Sequence, residues 1–81
     1  MDNENDIFVT NGSEFSVAKV ALDGIDRGAL GKGELRRFDN VDDGMHTIEV
    51  FRFADDTTPC DSHTTDYLGG SDDDYWVARC E

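Results

Sequence analysis

Basic residues are scarce in this sequence, since seven Lys and Arg stand against nineteen Asp and Glu and leave a net charge of −12. A surface with this balance repels nucleic acid and anionic membranes. It attracts basic partners, at rates that fall steeply as salt is added. We therefore expect binding to a basic protein, and no direct contact with nucleic acid or with a membrane.

Long apolar runs are also missing, because no stretch approaches the roughly 20 apolar residues that a membrane-spanning helix needs. The chain starts Met-Asp-Asn-Glu-Asn-Asp, which is unlike a basic secretory leader. We expect a cytoplasmic location, in a host cell if the gene belongs to a phage. An extracellular location is the alternative if a longer precursor is trimmed.

Cysteine is limited to Cys60 and Cys80. A bridge between them would close a loop of about 20 residues and stabilise the fold by roughly 3 kcal/mol. Cytosolic redox conditions oppose such a bridge, whereas a small domain benefits from one. The two cysteines are thus a candidate disulfide, and the sequence leaves their redox state open.

The residues that are plentiful are carboxylates, and they gather in the second half of the chain. Residues 38–81 carry twelve of them against two arginines. We predict that acids of this half contact the partner, with Tyr67 as an exposed aromatic anchor among them. The predicted contact residues are Asp39, Asp42, Asp43, Asp55, Asp56, Asp61, Asp66, Tyr67, Asp72, Asp73 and Asp74.

The apolar and turn residues predict one all-β domain over residues 1–81, because 37% hydrophobic residues and eight aromatics can form a small core. Asn11-Gly12 between two β-rich runs predicts a hairpin in which Phe8 opposes Phe15. Further strands are expected over residues 35–41, 46–53 and 75–80. The strand over residues 46–53 is either bulged near residue 50 or central, and the last strand is expected to be central.

Residues 54–74 contain seven Asp and no Lys or Arg, which predicts a long acidic loop with room for a short helical turn near residues 64–68. The expected fold is a small antiparallel β-sandwich or sheet of about five to six strands that carries this loop.

Part of the layout resembles PEGA-type β-modules. Val-Ala-Leu-Asp-Gly at residues 20–24, then Gly28, and Gly-Met-His-Thr-Ile-Glu-Val at residues 44–50 follow the order of strand, glycine turn and returning strand in that family. The chain departs from it at residues 15–18, which read Phe-Ser-Val-Ala where Pro-Glu-Gly-Ala would stand. The resemblance covers residues 20–53 and implies an antiparallel β fold; no functional residue is transferred from it.

The sequence contains candidate metal ligands, but none of them forms a complete metal-binding or catalytic motif. Asp72, Asp73 and Asp74 offer oxygen ligands for calcium but lack the EF-hand pattern. Zinc could in principle use Cys60, His63, Cys80 and His46, although the second pair is poorly spaced. No nucleophile stands beside a base at a recognisable spacing. We expect no metal, no cofactor and no enzymatic activity.

The function that we expect is that of an acidic inhibitor. In charge and size the chain is similar to DNA-mimic and anti-CRISPR-type inhibitors, which implies binding to a nucleic-acid-binding effector or nuclease, as in phage anti-defence or toxin immunity. Carboxylates at alternate positions of a strand lie about 6.6 Å apart, a spacing comparable to that of phosphates. The alternatives are an extracellular or surface β-module that binds a ligand or protein, and a halophilic β-protein whose acidity reflects high salt.

Overall fold

The computed structural model describes residues 4–69 and 72–81 and shows an all-β protein. Every regular element within those ranges is a strand, as the sequence predicts. The strands are β1 (Asn5–Asn11), β2 (Lys19–Leu22), β3 (Ile25–Asp26), β4 (Leu35–Val41), β5 (Gly44–Phe51), β6 (Asp61–Tyr67) and β7 (Asp73–Ala78).

The strands form two sheets, with the orders β4-β1-β7 and β3-β2-β5-β6. All paired strands are antiparallel except β1 and β7, which run parallel. The predicted small antiparallel β architecture is confirmed, with seven strands in place of five or six. The parallel pair is the departure from it, and it joins the first strand to the last.

The core lies between the sheets, because each sheet turns its apolar side chains to one face. β1 alternates strictly, with Ile7 and Val9 fully buried and the residues between them partly exposed. Ile48 and Val50 of β5 meet them from the other sheet. Full burial of each such side chain contributes about 1.5–3 kcal/mol, and this is what holds the sheets face to face.

The hairpin predicted at Asn11-Gly12 is wrong. Neither residue has the positive φ that the expected turn requires, and the segment that follows forms no strand. β1 pairs with β4 on one edge and with β7 on the other, so no edge of β1 is left for a hairpin partner. Phe8 accordingly stacks on Tyr75 of β7, not on Phe15.

The buried side chain of Asn11 explains why the chain turns here. Its Nδ2 donates to the carbonyl oxygens of Phe15 and Leu30, at 2.9 and 3.1 Å, and its Oδ1 accepts from the backbone N–H of Ser13 at 2.9 Å. The amide therefore folds the following loop against β1. An Asx-type bond to a backbone N–H two residues on competes with hairpin geometry.

A two-residue hairpin turn does occur, at Asp23-Gly24 between β2 and β3. Leu22 pairs with Ile25, and the two residues between them have φ of 53° and 82°. Positive φ at both positions is typical of the type I′ turn. The sequence signal for this turn type was correct, but it belongs to the Asp-Gly pair and not to the Asn-Gly pair.

The long acidic loop predicted over residues 54–74 is also wrong in part. β6 occupies Asp61–Tyr67 and β7 begins at Asp73, so connections remain before and after β6. The helical turn considered near residues 64–68 is strand, and residues 70 and 71 lie outside the described residues. β6 escapes sequence analysis because only Tyr67, at its end, is buried.

The prediction of central strands is half right. β5 lies between β2 and β6, as expected of a strand with apolar residues on both faces. β7 pairs with β1 alone and is an edge strand, so that prediction is wrong. Its outward residues Tyr75 and Val77 are exposed, whereas Trp76 packs against the core from the inner face.

A disulfide between Cys60 and Cys80 links the two sheets, which confirms the candidate pair. Cys60 precedes β6 and Cys80 follows β7, so the bridge joins two edge strands. Next to it, the backbone N–H of Arg79 donates to Asp61 Oδ2 at 2.8 Å. Because both sulfurs are bonded to each other, they are not available as the zinc ligands considered from the sequence.

We expect Cys60→Ser/Cys80→Ser to lower the free energy of unfolding by roughly 3 kcal/mol, because the loop that the bridge closes regains its entropy in the unfolded chain. Urea denaturation measures the change. Reductant should produce a similar loss in the unaltered chain and none in the variant. Equal stability of the variant and of the unaltered chain with its disulfide intact would contradict the prediction.

We expect Gly12→Ala to destabilise the fold by about 1–3 kcal/mol through overpacking. A Cβ at Gly12 would lie 2.6 Å from Cγ1 of Val77 and 3.2 Å from the Ala78 carbonyl oxygen. The matched control is Gly31→Ala, where the nearest atom is the flexible Glu34 Oε1 at 3.4 Å. Adding Val77→Ala to Gly12→Ala should recover part of the loss in urea denaturation; no recovery would place the strain elsewhere.

Candidate functional site

One end of the sandwich collects nine of the nineteen Asp and Glu side chains, and we call it the acidic end. β1, β5 and β7 begin there and β2, β4 and β6 end there, as the pairs Asn5↔Val41, Asp6↔Asp73, Gly44↔Tyr67 and Leu22↔Ile48 show. Its carboxylates are those of Asp6, Asp23, Asp39, Asp42, Asp43, Asp66, Asp72, Asp73 and Asp74.

The buried side chain of Asn5 holds three segments of the acidic end together. Its Nδ2 donates to the Val41 carbonyl oxygen at 3.0 Å and to Asp43 Oδ1 at 2.9 Å, while its Oδ1 accepts from the backbone N–H of Asp72 at 3.0 Å. Both the nitrogen and the oxygen of the Asn5 amide therefore form hydrogen bonds to these segments. Two of the predicted contact residues are thus placed by a hydrogen-bonded scaffold.

The structure divides the ten aspartates predicted to contact a partner. Seven of them belong to the acidic end, where five different strands or their connections bring them together. The other three, Asp55, Asp56 and Asp61, lie at the opposite end, in the connection before β6 and at its first residue. That end also holds the disulfide and Arg79, so its charge is mixed.

Tyr67 is buried, with 4% of its surface exposed, so the exposed anchor expected at this position is wrong. Its hydroxyl donates to the Asp6 carbonyl oxygen at 2.5 Å and fastens the end of β6 to β1. Burial, followed by the charges of Asp74, Asp73, Asp6 and Asp72, raises the pKa of Tyr67 to about 12. The phenol therefore lies inside a strongly negative field.

Cations at the acidic end are few. Among the described residues, Arg37 is the one Lys or Arg that forms an ion pair with any of its nine carboxylates, at 2.9 Å from Asp6 Oδ2. The ion pairs of Lys32 and Arg36 are made with Glu14 and Glu34 elsewhere. Like charges crowded in this way repel one another, and a cationic partner would relieve that repulsion.

His46 lies at the acidic end between two hydrogen-bond acceptors. Its Nδ1 lies 2.5 Å from Asp23 Oδ2 and its Nε2 lies 2.7 Å from the Asp42 carbonyl oxygen. Both partners are acceptors, so the doubly protonated imidazolium satisfies the site and a neutral ring leaves one contact without a proton. Burial lowers the pKa of His46, but the bonds to Asp23 and Asp42 and their charges outweigh it and raise the pKa above 6.5.

His63 joins the edges of the two sheets halfway along their length. Its Nε2 lies 2.7 Å from Asp74 Oδ2, and its ring stacks on Trp76 with centroids 5.4 Å apart. The carboxylate of Asp74 is therefore partly engaged within the protein. Of the seven predicted aspartates at the acidic end, it is the one in a side-chain pair with a histidine.

Within residues 4–69 and 72–81, no three His, Cys, Asp or Glu side chains come close enough to form a metal-ligand group. The calcium ligands considered at Asp72, Asp73 and Asp74 do not converge there. The same ranges include no helix long and apolar enough to cross a membrane.

Comparison with protein-family models found no match for this sequence. Curated proteins and solved structures yielded none either. The PEGA-like layout and the likeness to DNA-mimic inhibitors thus remain resemblances of sequence and charge.

Sequence analysis missed four residues that complete the acidic end, namely Asp6, Asp23, Arg37 and His46. Asp6 lies in the first half of the chain, and only the parallel pairing of β1 with β7 brings it to Asp73. A usable signal was present for Asp23, because an aspartate in an Asp-Gly turn often accepts bonds from neighbouring backbone. Here Asp23 Oδ1 accepts from the Thr47 N–H at 2.9 Å.

The raised pKa of His46 predicts a pH-dependent contribution to stability. A histidine whose pKa is higher in the folded state stabilises the fold below its unfolded pKa, and the contribution is lost as the pH rises through the folded pKa. Unfolding free energies of the unaltered chain and of His46→Gln should therefore differ most below about pH 6.5 and converge at alkaline pH.

The pKa of His46, followed by NMR of its ring protons, should lie above 6.5 and should fall in Asp23→Asn, which removes the charge but keeps an oxygen acceptor. A pKa that does not respond to Asp23→Asn would contradict the assigned hydrogen bond.

Proposed function

We propose that this protein is a non-enzymatic inhibitor whose acidic end binds the nucleic-acid-binding surface of a basic protein. The observation that carries the proposal is the gathering of seven of the ten predicted aspartates, with Asp6 and Asp23, at one end of a rigid sandwich. Such a surface competes for the Lys and Arg side chains that neutralise phosphates. The suggested partners are effectors or nucleases, in phage anti-defence, anti-CRISPR or immunity roles.

The arrangement of charge supports a directed surface over general acidity. Nine carboxylates are collected at the acidic end, whereas Lys19, Lys32, Arg52 and Arg79 lie at the opposite end or in its loops. A molecule with this separation of charge is oriented by a basic partner during approach, which raises the association rate. Solubility or salt adaptation alone requires no such separation.

The scaffold also suits the role of a decoy. The Asn5 amide and the Tyr67 hydroxyl fix the backbone of the strands that carry the carboxylates. A preorganised surface loses little conformational entropy when it binds, so more of the electrostatic attraction remains as affinity.

A second candidate function is an extracellular or surface β-module that binds a protein or another ligand. The disulfide between Cys60 and Cys80 favours it, because such bonds persist mainly in oxidising compartments. In this case the acidic end would serve a basic partner outside the cytoplasm. Mass measurement of the protein from its native host, alkylated at lysis, distinguishes the two by the redox state of the pair.

The inhibitor proposal is tested with two variants of equal charge. Asp42→Asn/Asp66→Asn/Asp72→Asn neutralises exposed carboxylates of the acidic end, and Asp55→Asn/Asp56→Asn/Asp61→Asn does the same at the opposite end. A partner is captured from a host lysate with the unaltered chain, and its binding to a labelled DNA or RNA duplex is then titrated with each variant.

We expect the unaltered chain and the opposite-end variant to displace the duplex, and the acidic-end variant to need about tenfold more protein. Displacement should weaken steeply with added salt, because most of the attraction is between exposed charges. Equal displacement by both variants, or a partner that holds the chain and the duplex together, would contradict the proposal.

A further inference from the structure

The outer face of the three-stranded sheet carries the same pair of side chains on two neighbouring strands. Asp6 and Phe8 point outward from β1, and Asp73 and Tyr75 point outward from β7. Because the strands are parallel, the register places Asp6 beside Asp73 and Phe8 beside Tyr75. Each strand therefore presents a carboxylate followed, two residues on, by an aromatic ring.

The pair on β1 is occupied by an arginine of the chain itself. Arg37 of β4, the register partner of Phe8, lies with its guanidinium 2.9 Å from Asp6 Oδ2 and its Cζ 5.9 Å from the Phe8 ring centroid. One guanidinium thus pairs with the carboxylate while lying over the ring. The fold itself shows which group a carboxylate–aromatic pair of this geometry takes.

The pair on β7 has no such occupant among the residues that the structure describes. Asp73 forms no ion pair there, and no cation lies over the ring of Tyr75. Phe8 covers one face of that ring, at 4.4 Å between centroids and 8° between planes, yet Tyr75 remains 69% exposed. Its outer face is open, since β7 is the edge strand of this sheet.

We propose that Asp73 and Tyr75 form a binding site for an arginine side chain of the basic partner. In this site the arginine contacts Asp73 and Tyr75 of β7 in the way that Arg37 contacts Asp6 and Phe8 of β1. The inference rests on the proposed function, because it takes the partner to dock at the acidic end, and it adds the residue type that anchors the contact. A guanidinium fits better than an ammonium, because its plane can stack on the ring while its edge pairs with the carboxylate.

The surroundings of the site match those of an interface anchor. Asp73 belongs to the acidic end, so the site continues the surface that attracts the partner. Val77, two residues after Tyr75 on the same face of β7, is 44% exposed and supplies apolar surface beside the ring. Aromatic residues with an arginine on the partner side are frequent centres of binding energy.

The test compares hexa-arginine with hexa-lysine, two peptides of equal charge, by calorimetry at moderate salt. We expect the unaltered chain to bind hexa-arginine about two- to fivefold more tightly, the range of a cation–π contact at an exposed site. Tyr75→Leu keeps an apolar side chain and removes the aromatic ring, so the ratio of the two affinities should fall to about one. Leu68→Ala, at an exposed non-aromatic residue of the same end, should leave the ratio unchanged.

The carboxylate is tested with two variants of equal charge. Asp73→Asn should weaken hexa-arginine binding more than Asp66→Asn, which neutralises another exposed aspartate of the acidic end. NMR spectra of every variant confirm that the fold is retained, and the Tyr75 and Phe8 signals should shift with hexa-arginine.

Two results would overturn the site: equal affinity of the unaltered chain for both peptides, or a preference for arginine that survives Tyr75→Leu. In either case salt-sensitive binding of both peptides would leave the proposed function standing. If neither peptide binds, both proposals fail.

Discussion

β1 is the strand on which the rest of the molecule depends, because it is bonded on both edges and its buried amides fasten the loops at both ends. Asn11 holds the loop that follows β1, and Asn5 holds the connection between the sheets and the start of β7. A buried amide that loses its partners costs about 1–3 kcal/mol, so each loop is held where the amide is satisfied. The sheet order, the placement of the acids and the fixed backbone at both ends follow from that arrangement.

The concentration of negative charge at the acidic end lowers the stability of the fold. Carboxylates gathered at the acidic end repel one another; among the described residues, Arg37 forms an ion pair with Asp6, and His46 and His63 bond to Asp23 and Asp74. Two attachments resist this repulsion: the bond from the Tyr67 hydroxyl, which joins β6 to β1, and the disulfide, which joins the start of β6 to the end of β7 at the opposite end. A fold that retains such repulsion has a surface suited to a cationic partner.

The sequence predicted those features that depend on residue composition alone. The all-β class, the pairing of Cys60 with Cys80 and the acidity of the second half could all be predicted. Prediction failed where distant contacts decide the structure. Asn11-Gly12 has the composition of a hairpin turn, but burial of Asn11 between two sheets overrides the turn preference. The sequence of β6 resembles a loop because its polar residues leave the strand without an apolar face. It forms a strand because its backbone pairs with the edge of β5.

The candidate site was half predictable for the same reason. Seven aspartates could be named from charge alone, but the burial of Tyr67 depends on a hydroxyl bond to Asp6, 61 residues earlier in the chain. No sequence pattern indicates that Phe8 and Tyr75 are neighbours. Only the parallel register of the first and last strands brings them face to face.

That parallel register also determines the order in which the molecule can fold. β1 is synthesised before its partner β7, and Asp73 follows Asp6 by 67 positions in the chain. The three-stranded sheet cannot close on one side until β7 has been synthesised, and contacts between such distant segments form slowly. Until then one edge of β1 lacks its partner strand, and an unpaired strand edge makes a nascent chain prone to aggregation.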